Sequence, residues 1–61
     1  MTYDEQKALV PGDRVIFSWC ETATVTKYRF YGTGQWFPAL QFSDGEVYPM
    51  STFRPEDMTK L

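Results

Sequence analysis

The 61-residue chain has no histidine and a single cysteine, Cys20. The missing imidazole removes the usual proton shuttle near neutral pH, and with it the Cys–His and Ser–His pairs of nucleophilic catalysis. One thiol cannot form a disulfide within the chain, and without histidine there is no donor set for an ordinary zinc site. Positive charge is also scarce. The six Lys and Arg residues are spread along the sequence, the net charge is -2 and the pI is near 4.8. General nucleic-acid binding needs clustered cations, and only Lys27 and Arg29 stand close together. No apolar run approaches the ~18 residues of a membrane span, and Met1 to Val10 is polar rather than signal-like. These absences lead us to expect no enzyme activity, cofactor, metal or membrane partner, and a cytoplasmic location, which a lone thiol suits.

What is abundant is aromatic: 18% of the residues are Phe, Trp or Tyr. A chain this short buries only ~60% of the surface its unfolded form exposes, so large rings must supply much of the packing. A homo-oligomer would cover rings that one small domain leaves out. No internal repeat or low-complexity tract is evident. The length and Met1 fit a complete small gene product of bacterial or phage type.

The order of turn signals gives an all-β reading. Thr2 to Leu9 forms an arm or a short helix, with Thr2 as N-cap and Glu5 three residues on. Pro11-Gly12-Asp13 breaks the chain, and Arg14 to Trp19 follows as a strand with Val15, Phe17 and Trp19 on one face. Cys20-Glu21 makes a turn into a long second strand, Thr22 to Tyr31. Ala23 and Val25 take one parity there and Tyr28 and Phe30 the other, which predicts a β-bulge at Thr26-Lys27. Gly32-Thr33-Gly34 turns into Gln35 to Ser43, where Pro38 demands an edge or a bulge. Asp44-Gly45 turns into Glu46 to Met50. Ser51 to Arg54 suits a 3₁₀ turn before a brief last strand or tail. The expected units are an arm over residues 1–10, a five-stranded barrel over 11–57 and a tail over 58–61. The expected core is Val15, Phe17, Ala23, Val25, Tyr28, Leu40, Phe42, Val47 and Phe53.

Taken in order, Gly12-Asp13-Arg14-Val15, Ala23-Thr24-Val25, Phe42-Ser43-Asp44-Gly45 and Phe53-Arg54-Pro55 resemble the Tudor and KOW branch of SH3-like barrels. The resemblance covers residues 11 to 55. It implies a small five-stranded barrel with a 3₁₀ turn before the last strand. It also implies a ligand cage in which Trp19 corresponds to the first-strand aromatic, and Phe42 with Asp44 to the third-strand aromatic and acid. The first hairpin is shorter than in that family, which usually carries another cage residue there.

Gly12-Asp13-Arg14-Val15 and Gly45-Glu46-Val47-Tyr48-Pro49 are also similar to type II dihydrofolate reductase chains, which are tetramers around a shared pore. Where that family has a ligand-contacting glutamine, Glu46 stands here, and its cofactor-binding lysine has no counterpart after Val15. A carboxylate at that place would repel anionic folate and NADPH.

The residues therefore favour a non-enzymatic binding module. Rings beyond the needs of the core, namely Trp19, Tyr31, Trp36 and Tyr48, together with Asp44, are the expected contact surface for a protein or peptide partner. Lys27 and Arg29, interleaved with Tyr28 and Phe30, leave a nucleic-acid role as the alternative. Expected acidic neighbours (Glu21, Asp44 and Glu46) count against it.

Overall fold

The computed structural model of the chain describes all residues from Met1 to Leu61. A short helix, α1 (Tyr3–Lys7), precedes five strands: β1 (Arg14–Phe17), β2 (Thr22–Arg29), β3 (Trp36–Phe42), β4 (Val47–Pro49) and β5 (Met58–Lys60). Two 3₁₀ turns, Met50–Thr52 and Pro55–Asp57, join β4 to β5. The strands form one antiparallel sheet in the order β4-β3-β2-β1-β5, so three hairpins follow in sequence and the last strand returns beside the first. The expected strands and 3₁₀ turn are present, but the sheet is open, with β4 and β5 as its two edges. Of residues 58–61, read from the sequence as a brief last strand or tail, Met58–Lys60 form β5.

Two of the turns are the same structure. In the β1–β2 turn, Phe17 N donates to Glu21 O at 2.8 Å and Cys20 N donates to Phe17 O at 2.8 Å. In the β3–β4 turn, Phe42 N donates to Glu46 O at 2.9 Å and Gly45 N donates to Phe42 O at 3.0 Å. Both are three-residue loops that need a left-handed residue in fourth place of Phe-Ser-x-x-Glu. Gly45 meets the need at φ 89, whereas Cys20 is forced to φ 68. A side chain there is strained, so Cys20→Gly should stabilise the fold by about 0.5–1 kcal/mol. The melting temperature should rise by about 2–8 °C, and an unchanged or lower value in a thermal melt would refute the strain. The turn itself spans Ser18 to Cys20, one to two residues before the expected Cys20-Glu21.

The core is small. Val15, Phe17, Ala23, Val25, Leu40, Phe42, Met50 and Met58 form one buried cluster, with Met1, Leu9 and Phe53 packed at its margin. Two expected core residues lie elsewhere. Tyr28 is half-buried on the opposite face, where its ring lies 5.7 Å from Phe37, and Val47 is exposed on that same face. The expected bulge is also absent. From Ala23↔Phe42 to Arg29↔Trp36 the β2–β3 ladder runs without a break. The parity slip has a simpler cause: the core ends at Val25 and Leu40 while the hairpin continues. Lys27 and Arg29 keep the inner parity of Val25, and Tyr28 falls on the outer face with Thr26 and Phe37. Pro38 stands past the end of β4, where β3 has a neighbour on one side only.

Helix α1 lies against the second 3₁₀ turn and β5. Gln6 is buried, and its Nε2 donates to Phe53 O at 3.3 Å and Met58 Sδ at 3.3 Å. The Met1 nitrogen donates to Pro55 O at 3.1 Å and Met58 O at 2.7 Å. At only five residues the helix depends on its cap. Thr2 N donates to Glu5 Oε1 at 2.9 Å and Glu5 N donates to Thr2 Oγ1 at 3.2 Å, the reciprocal box read from the sequence. The hydrogen bond from the Thr2 backbone N–H, aided by the Thr2 side chain, holds the Glu5 carboxyl below its ordinary range. A depressed value in the folded state means that the stabilisation is present above the usual carboxylate range and lost as pH falls through the lowered value. Thermal melts between pH 7 and 3 should therefore decline less for Glu5→Gln, whose amide still accepts the bond, than for the unmodified chain. Parallel declines would contradict this.

Candidate functional site

The sheet brings the two Phe-Ser turns to one end. Ala23 at the start of β2 faces Phe42 at the end of β3, so the turn before β2 and the turn after β3 lie side by side. Between them is a hollow of about 250 Å³ lined by Glu21, Phe42, Asp44, Tyr48, Thr52 and Phe53. Each strand contributes for a local reason. Tyr48 is paired with Leu40 and so shares its inward parity, but β4 is at the sheet edge and leaves the residue 43% exposed. Phe53 follows the first 3₁₀ turn and returns the chain over the core margin.

The rings are mutually fixed. Tyr48 meets Phe42 at 5.7 Å and Phe53 at 6.2 Å, both edge-on, while Phe53 meets Phe42 at 5.6 Å. Phe17 lies behind them, 5.0 Å from Phe53 and 5.7 Å from Phe42. Trp19 stacks on Phe17 at 4.6 Å with planes 12° apart, and its Nε1 donates to Glu21 Oε1 at 3.0 Å. Of the rings that line the hollow, Tyr48 is the one that stands exposed, and a negative ring face is what a cation meets favourably.

The hollow is acidic. Asp44 Oδ1 accepts from Glu46 N at 2.9 Å, which fixes the carboxylate at the turn, and the indole fixes Glu21. The one ion pair of the structure joins Lys60 to Asp13 at 3.8 Å, so neither groove acid has an internal counter-ion. No three Cys, Asp or Glu side chains converge as a metal site would need. A larger hollow of about 410 Å³, between α1 and β5, is lined by Met1, Glu5, Ala8, Leu9, Thr59 and Lys60. It has no aromatic ring, and its carboxylate already serves the helix cap.

The five residues expected as a single contact surface are divided. Tyr48 and Asp44 line the hollow and Trp19 flanks it. Tyr31 and Trp36 stand at the far end of the β2–β3 hairpin, six residues of β3 from Phe42 and thus about 20 Å away. Glu21, Asp44 and Glu46, expected beside Lys27 and Arg29, belong to the opposite end of the sheet from the hairpin tip. Sequence reading missed Glu21 and Phe53 as site residues. The parallel pentapeptides Phe17-Ser18-Trp19-Cys20-Glu21 and Phe42-Ser43-Asp44-Gly45-Glu46 were the available signal for pairing the two turns.

Comparison with known proteins yields no match, whether with protein-family models, curated sequences or solved structures.

Proposed function

We propose that the protein is a non-catalytic binding module that seats a cationic side chain of a peptide or protein partner between its two Phe-Ser turns. The observation that carries this reading is that two carboxylates without counter-ions, Glu21 and Asp44, line the same hollow as the exposed ring of Tyr48 and the half-buried ring of Phe53. A lysine, an arginine or a methylated form of either would gain ~0.5–2 kcal/mol from the rings, plus attraction to both acids. The run of three hairpins with β5 returning beside β1 is compatible with an SH3-like architecture. The Tudor-like resemblance, which assigns ligand contact to Trp19, Phe42 and Asp44, supports the same end of the sheet. The absence of histidine supports a role without catalysis, and the exposed thiol of Cys20 suits a reducing compartment.

Calorimetric titration with a short peptide carrying one arginine or trimethyllysine tests the reading. A Kd on the order of 0.1–1 mM is expected, weakened at least fivefold by Tyr48→Ala. Equal affinity for the same peptide with glutamine in place of the cation would end it.

A further inference from the structure

The β2–β3 hairpin carries charge of one sign only. From Thr22 to Ser43 there is no Asp or Glu, and the only charged residues are Lys27 and Arg29; all eight acids lie outside that stretch. The hairpin tip is also rich in open rings, with Phe30 52%, Tyr31 100% and Trp36 59% exposed. Lys27 Nζ lies over the Trp36 ring at 5.3 Å. Arg29 pairs with Trp36 in the ladder, and its guanidinium lies along the tip turn, where a Cβ on Gly34 would come within 3.5 Å of Nη2. Neither cation has an ion-pair partner. One end of the molecule is thus an acidic aromatic hollow, and the other a basic aromatic projection.

We propose that the partner seated in the hollow is a second copy of this chain, whose β2–β3 tip supplies the cation, with Arg29 as the inserted side chain. This rests on the cation-binding reading of the groove and names its occupant. Arginine suits the role, because its planar, weakly hydrated guanidinium stacks on rings while donating to carboxylates. Lys27 and Arg29 have the inner parity of Val25, and Tyr48 has that of Leu40, so tip and groove open on the same side of the sheet. They lie about 20 Å apart along β3. A two-fold axis between them lays each tip over the other copy's groove, so the same contact is made twice and the assembly closes as a dimer. The arrangement covers rings that would otherwise stand in water, and it neutralises Glu21 and Asp44 with Lys27 and Arg29.

Sedimentation equilibrium over rising concentration tests the proposal. At low salt the mass should climb from 7.1 kDa towards twice that value, and at ~0.5 M salt it should fall back, because the contact is ionic. Two charge-reversed chains sharpen the test, Glu21→Lys with Asp44→Lys in the groove and Lys27→Glu with Arg29→Glu at the tip. All four residues are exposed, so circular dichroism should show both variants folded. Each should be monomeric alone, since groove and tip then carry the same sign, and an equimolar mixture should recover the dimer mass. A mass of 7.1 kDa at every concentration, or no recovery on mixing, would overturn the proposal. If the chain stays monomeric but still binds the arginine peptide, self-association fails while the groove reading stands; if the peptide is not bound either, both fall. Oligonucleotide binding that requires Lys27 and Arg29 in a monomeric chain would overturn the proposal in favour of a nucleic-acid role for the tip.

Discussion

Leu40→Ala should remove more than half of the stability of the fold. Leu40 has no exposed surface and is paired with Val25 on one side and Tyr48 on the other, so its side chain sits at the centre of the sheet's inner face. Truncating such a residue costs about 2–5 kcal/mol, the lost transfer energy plus the cavity left behind. A 61-residue domain has only about 3–9 kcal/mol to lose. With ten buried residues there is little surrounding core to collapse into the gap. In urea unfolding followed by circular dichroism, the midpoint should fall to less than half its original value. Val47→Ala, on the exposed outer face, should shift it by no more than ~0.5 kcal/mol equivalent. Similar shifts for the two variants would mean that the core is wrongly placed.

Reversing both groove acids, Glu21→Lys together with Asp44→Lys, should weaken binding of a cationic peptide at least about thirtyfold. Each exposed carboxylate near a ligand cation contributes roughly 0.5–1 kcal/mol, and reversal turns two attractions into two repulsions. The loss should shrink as salt is raised, whereas the deficit of Tyr48→Ala, which removes a ring face, should persist. That contrast separates the two halves of the site. A loss of less than threefold on double reversal would show that the acids face water rather than the ligand.

The strands were legible from the sequence wherever turn chemistry marked their ends. Pro11-Gly12-Asp13 and Asp44-Gly45 punctuate the chain as expected, and Gly12 and Gly45 both take the left-handed backbone that only glycine adopts cheaply. The helix was legible for the same kind of reason, since the Thr2–Glu5 box is a local bond pattern. Parity beyond the core was not legible. Alternation reports which face is buried, and past Val25 the inner face of the hairpin is no longer core, so the polar Lys27 and Arg29 imitated a register slip. Met50 and Met58 escaped because a 3₁₀ turn and a three-residue strand are too short to show a period. The site was half legible. Surplus rings could be counted, but which rings share an end depends on the β2–β3 ladder. That ladder sets Trp19 and Tyr48 apart from Tyr31 and Trp36. Glu21 was hidden by an assignment to the turn, which in fact ends at Cys20 and leaves Glu21 beside the hollow.

The most direct measurement is a ¹H–¹⁵N NMR titration of the dilute chain with the single-arginine peptide. Progressive shifts are expected at Glu21, Asp44, Tyr48 and Phe53 and at the Trp19 indole, with Tyr31 and the Trp36 indole unmoved. Shifts centred on Tyr31 and Trp36, or an identical pattern with the glutamine peptide, would contradict the cation-binding reading of the groove.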